Sequence, residues 1–116
     1  MEEDMKAFDF YSAVTEMQKE VHETAKSKGW HDTKREDGTL IALIHGEVSE
    51  VMEALRRGNP KDEKFPEYTE AEVEMADIII RCLDMCEANG WNVAGAILAK
   101  AEYNKGRSFK HGGKAF

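Results

Sequence analysis

The residues of this chain best suited to chemistry are two pairs of carboxylates, Glu47-x-x-Glu50 and Glu74-x-x-Asp77. On a helix, side chains three apart share a face, with Cβ atoms about 5–6 Å apart, so each pair sets like charges side by side at a cost of a few tenths of a kcal/mol. The second pair lies in a stretch, Ala71 to Cys86, that is apolar around most of its circumference. Beyond Glu72 in its first turn, its polar interruptions are Glu74, Asp77, Arg81 and Asp84, spaced three, four and three. A polar stripe on such a helix faces something other than bulk water. Grouped, partly buried carboxylates need a cation or protons. Oxygen-only ligation points to Mg²⁺, with Mn²⁺ a second possibility. A di-iron carboxylate bundle needs Glu-x-x-His steps, whereas the residues three before His22, His31, His45 and His111 are Lys19, Lys28, Ala42 and Ser108. Zinc is poorly served, since no Cys/His set has ligand spacing.

Four helices must position these acids. The first is expected from about Phe10 to Lys28, with Asp9 as N-cap, Gly29 just past its end, and Phe10, Val14, Met17, Val21 and Ala25 as its apolar face. A polar loop, Gly29 to Gly38, carries Trp30 and His31. The second helix starts near Thr39, ends at Gly58 and carries Glu47 and Glu50. The longest loop, Gly58 to Tyr68, holds both prolines. Thr69-x-x-Glu72 matches a capping box opening the third helix, and Asn89-Gly90 closes it. The fourth begins around Asn92 and stops before Gly106. Residues 107–116 have no clear period and read as a basic, irregular tail. No strand-like alternation is present, so the fold class is all-α, and short connections favour an antiparallel four-helix bundle. At 116 residues the chain makes one domain, 1–116.

Charge narrows the partners. The formal net charge of −7 argues against binding a nucleic-acid polymer. From Lys100 onward, five cations oppose the single acid Glu102, giving +4, so residues 1–99 carry −11. A basic end on an acidic body suits a small polyanion held partly by metal and partly by cations. Cys82 and Cys86, four apart on a helix, are poorly placed for a disulfide and read as small core residues in a reducing compartment. The start of the sequence is acidic and lacks a signal-peptide apolar region, and no run approaches the roughly 20 apolar residues of a membrane span. A cytoplasmic location and no membrane partner are the expectations.

The run His45-Gly46-Glu47-Val48-Ser49-Glu50-Val51, a later Glu53-Ala54, and Glu74-Met75-Ala76-Asp77-Ile78-Ile79 resemble the ExxE…ExxD signature of the all-α NTP pyrophosphohydrolases, the MazG-like superfamily. Lys28-Gly29-Trp30 ahead of the first motif is similar to the phage and bacterial MazG-like branch. So is the ending Lys100-x-x-x-Asn104-x-x-Arg107 with Lys110-His111-Gly112-Gly113-Lys114 beyond it. The resemblance spans about Phe10 to Phe116. It implies a four-helix bundle of that type and Mg²⁺-dependent hydrolysis of (deoxy)nucleoside triphosphates to monophosphate and pyrophosphate, a house-cleaning of nucleotide pools. By the same resemblance Glu47, Glu50, Glu74 and Asp77 hold the metal, with Glu47 and Glu50 catalytic and Glu50 preferred for activating water. Lys100, Asn104, Arg107, Lys110 and Lys114 contact phosphate, and the Gly112-Gly113 backbone can approach it closely. Trp30 stacks on the base, and the assembly is a homodimer or homotetramer. Arg81, four past Asp77, has the spacing of a supporting ion pair, and Glu53 reads as a solvent-facing charge. Two further readings stand beside this one. The first is a pyrophosphohydrolase for another substrate of the dUTP/dUDP or phosphoribosyl-nucleotide type. The second is a non-catalytic helical interaction protein whose acidic stripe pairs with a partner.

Overall fold

The structure is a computed structural model and describes residues 2–34 and 36–107. Within them the chain is all-α: α1 Glu2–Ser27, α2 Asp37–Arg56, α3 Glu70–Asn89 and α4 Val93–Lys105. The first helix corrects the sequence reading. It begins at Glu2 rather than Phe10, and Asp9 lies inside it instead of capping it. No glycine or proline interrupts residues 2–9. Glu2, Glu3 and Asp4 sit in the first turn, where carboxylates complement the helix dipole, and Lys6 pairs with Glu2 one turn back.

The ends of α3 follow the sequence closely. Thr69 accepts from the Glu72 backbone N–H at 3.2 Å, and the Thr69 N–H donates to the Glu72 carboxylate at 3.0 Å, closing the capping box. Gly90 ends the helix at φ +71°, the left-handed geometry that favours glycine. Asn92 caps α4 by accepting from Gly95 N–H at 3.0 Å. The long loop before α3 is tied down by the Glu70 N–H on the Pro60 carbonyl at 2.8 Å, by Asn59 Oδ1 accepting from Ala71 N–H at 2.9 Å, and by an isolated bridge between Lys61 and Thr69.

Helix α3 lies between α1 and α2 and runs opposite to both. Along α1 the pairings step from Gln18 with Glu87 to His22 with Asp84. Along α2 they step from Asp37 with Asn89, through Glu47 with Arg81, to Arg57 with Glu70. Helix α4 makes its main helix contact with α1. Apolar side chains buried among the described residues are Ala54, Leu83, Met85 and Ala94; Gln18 is buried too, donating to the Glu87 carboxylate and the Trp91 carbonyl at 3.0 Å each. Many large apolar residues instead face outward, among them Met5, Phe8, Val48, Met52, Leu55 and Ile79.

Candidate functional site

The opposed register of α2 and α3 sets Glu47 across from Glu74 and Asp77, and the three carboxylates offer ligand atoms all within 4.8 Å of one another. Glu47 and Glu74 are half-buried, while Asp77 opens to solvent. Crowding shows in their acidity. The Glu74 carboxyl is pushed above the ordinary carboxylate range, first by desolvation and then by the hydrogen bond and charge of Glu47, with Asp77 and Glu50 adding further repulsion. Asp77 is raised as well, by desolvation and by Glu47, and further by Asp62; Arg81 opposes the shift. These acids favour a proton or a cation between them. Three carboxylates with space for water match what a hard, oxygen-preferring divalent ion accepts, so the residues present fit Mg²⁺.

Glu50, one turn beyond Glu47, is exposed and supplies no atom to the converging group, although its charge reaches Glu74. Glu53 faces solvent, as expected, and pairs with Arg56 at 2.9 Å. Arg81 acts on two of the acids: its charge is felt at Asp77, four residues back, and its Nε pairs with Glu47 Oε1 at 3.2 Å across the α2–α3 interface. The helical i,i+4 spacing to Asp77 is real, but the guanidinium reaches the neighbouring helix, where it supports a candidate ligand from the other side. Its planar end also sits 5.6 Å from the centroid of the Trp30 ring.

Trp30 is half-exposed at the rim of a cavity of about 260 Å³ between α1, α2 and α3, whose walls include Asp77, Arg81, Asp84 and His31. A flat aromatic and a candidate metal ligand therefore share one cavity. On the other side of the acids a second cavity of about 600 Å³ is lined by Glu74, Asp77, Asp62, Lys64, Arg57 and their neighbours. Lys64 and Arg57 belong to the connection between α2 and α3, and Arg57 also pairs with Glu70. These two cations beside the acids escaped the sequence reading, because nothing in their spacing links a loop lysine to a helix two turns away. Asp62 escaped it for the same reason; its carboxylate accepts from the Lys64 and Phe65 N–H groups at 2.9 Å and so turns the loop under Asp77.

The basic residues assigned to phosphate stand elsewhere. Lys100 and Arg107 both lie over the Tyr103 ring, at 5.0 and 5.7 Å from its centroid. Asn104 is exposed on the same helix, which packs on α1 rather than closing over the acids. Lys110 and Lys114, with the glycines between them, lie outside the described residues. Cys82 and Cys86 are free thiols, half-buried, and desolvation pushes the Cys86 thiol up. No helix among the described residues is long and apolar enough to cross a membrane. Comparison with protein-family models, curated proteins and solved structures yields no match.

Proposed function

We propose that this chain is a Mg²⁺-dependent nucleotide pyrophosphohydrolase, cleaving (deoxy)nucleoside triphosphates to the monophosphate and pyrophosphate. The observation that carries the reading is the convergence of Glu47, Glu74 and Asp77 from two helices onto one small volume. Acids held that close, with Glu74 and Asp77 both raised in pKa, repel one another unless a proton or a cation intervenes, and a triphosphate bound through such a cation has its own charge offset at the same point. A bound Mg²⁺ supplies Lewis-acid polarisation of the phosphoryl oxygens and lowers the pKa of attacking water. Glu47, Glu74 and Asp77 are the residues that would hold it. Glu50, close enough for its charge to be felt at Glu74 but outside the converging group, is the carboxylate left to orient that water and take its proton.

Around this centre the two cavities divide the substrate. Trp30 offers its face to a base, while Arg81 holds Glu47 in place and steadies the ring. Lys64 and Arg57, lining the cavity on the other side of the acids, contact phosphate oxygens and offset charge on the leaving pyrophosphate. Helix α4 makes its main helix contact with α1, and neither cavity beside the acids is lined by Lys100, Asn104 or Arg107, so in this reading a second copy brings Lys100 and Asn104 of α4, and Arg107 just past its end, to a neighbour's site. The working form is then a homodimer or homotetramer.

The test is a product screen over common and damaged nucleoside triphosphates with Mg²⁺, with Mn²⁺ and with EDTA. Pyrophosphate release that needs the metal is the expected result. Release of single phosphates, or no turnover with any nucleotide, removes the assignment.

A further inference from the structure

A second group of metal-ligating side chains stands apart from the acids. His22 on α1, His31 in the connection to α2, and Asp84 on α3 meet at one point, with ligand atoms within 4.8 Å of one another. His22 Nδ1 donates to Asp84 Oδ1 at 2.8 Å, and His31 Nε2 donates to Oδ1 and Oδ2 at 2.9 and 3.0 Å. The imidazoles meet edge to face, ring centroids 4.7 Å apart. All three side chains are largely withdrawn from solvent, at 15%, 23% and 21% exposure. Their spacing in sequence gives no zinc signature, because each comes from a different element; the opposed register of α1 and α3 and the turn after α1 assemble them.

We propose that His22, His31 and Asp84 form a binding site for a transition-metal dication of the Zn²⁺ type, distinct from the oxygen-only acid cluster. Two imidazole nitrogens and one carboxylate oxygen form a borderline donor set, suited to Zn²⁺ or Co²⁺ and poorly matched to Mg²⁺. Ligand atoms about 2.0–2.1 Å from a tetrahedral ion stand about 3.3 Å apart. The imidazole–carboxylate separations of 2.8 to 3.0 Å therefore need to open by about half an ångström at most, and the two nitrogens already lie within 4.8 Å of each other. Ligation asks each ring to turn a bare nitrogen to the ion and carry its hydrogen on the other nitrogen. His31 lines cavities on two sides, of about 260 and 290 Å³, so water can reach the ion and complete its shell.

The backbone is already arranged for this. Gly29 adopts φ +83°, the Trp30 N–H donates to the Ala25 carbonyl at 3.1 Å, and the Asp32 N–H donates to the Gly29 carbonyl at 3.2 Å. That turn presents His31 to α3 and Trp30 to the cavity in consecutive positions. A dication here pins α1, the connection and α3 together and fixes the segment that carries Trp30.

Co²⁺ is the probe, because its visible absorption reports nitrogen ligation and low coordination number. The full chain is titrated in four forms: unmodified, Glu47→Gln/Glu74→Gln, His31→Ala, and Asp84→Asn as a second disruption of the site. A visible band that saturates at one equivalent of Co²⁺ per chain, with a raised Tm, is expected in the first two. In His31→Ala and Asp84→Asn the band disappears and affinity falls about 100-fold or more, with helical circular dichroism retained in at least one of them. Two results overturn the site: absence of a band in the unmodified chain, which leaves a hydrogen-bonded His–Asp–His cluster only, and loss of the band in the Glu47→Gln/Glu74→Gln form, which puts the ion on the acids.

Discussion

Glu74 and Asp77 keep protons that ordinary carboxylates release, and the cause is desolvation compounded by Glu47. The sign of the resulting pH dependence follows. With both pKa values raised, the folded chain binds more protons than the unfolded chain across the window between the ordinary carboxylate value, about 4, and the raised ones, so stability from these groups declines as pH climbs through that window. In EDTA, Glu74→Gln should therefore melt a few degrees above the unmodified chain at neutral pH, and the gap should close towards about pH 4. Mg²⁺ should reverse the order by raising only the unmodified chain; differential scanning over pH with and without metal reads both effects. Lys64 supports a separate expectation. Lying in the cavity beside the acids but not among the ligands, Lys64→Ala should raise KM several-fold and leave Mg²⁺ affinity unchanged, whereas equal loss in both would make the lysine a support of the metal site. Sequence spacing paired Glu74 with Asp77 because helical periodicity carries information over three or four residues, but by the same spacing it paired Glu47 with Glu50, which stays outside the converging group. It was silent on Lys64, Arg57, Asp62 and the partners of Asp84, which reach their places only through the packing of separate elements.

The position of those acids depends on where α3 starts. Thr69 and Glu72 satisfy two of the free N–H groups there, and the loop ties from Asn59 and Pro60 bring the start of α3 beside the end of α2. Ten or so residues of opposed helix then place Glu74 and Asp77 against Glu47. Thr69→Ala removes the cap at a cost of about 1 kcal/mol, seen as a Tm lower by a few degrees, while turnover per folded molecule stays unchanged below the transition. A large fall in turnover at low temperature would mean that the cap also sets the register of the acids. Capping and stop signals were the parts of the fold most legible in the sequence: Thr69, Gly90 and Asn92 each act through their own side chain or φ angle within a few residues. The start of α1 was not. Asp9 resembles a cap, but capping requires extended backbone at that residue, and the uninterrupted helix formers before it, led by three acids that suit the dipole, let the helix run on to Glu2. The basic face of α4 was legible as charge and not as location, because nothing local in Lys100 or Arg107 fixes which neighbour α4 packs on.

At the scale of the whole molecule, the single chain is more open than a compact domain of its length. Its radius of gyration is 17.0 Å, against about 13 Å for a compact domain of this length. Its accessible surface is 9134 Å², against about 6,400 Å² for a folded monomer of this mass. The excess is of the order that a permanent interface between subunits covers. On α2 it takes the form of a stripe: Ile41, Val48, Met52 and Leu55 recur at intervals of seven, four and three and are each about half-exposed. That spacing keeps them on one side of the helix, turned away from the face that Ala54 buries. The stripe lies on the helix that carries Glu47, while α4 makes its main helix contact with α1, so a second copy seated on the stripe is the arrangement the proposed shared site calls for. Sedimentation equilibrium of the unmodified chain should give a dimer or tetramer. Val48→Glu/Met52→Glu, which sets two charges in the stripe without touching the proposed ligands, should shift it to monomer, lower the Tm by ten degrees or more, and reduce turnover along with assembly. A monomeric unmodified chain of full activity would instead mean that Lys64 and Arg57 of the same chain suffice for the phosphates, and that the stripe answers to some other partner.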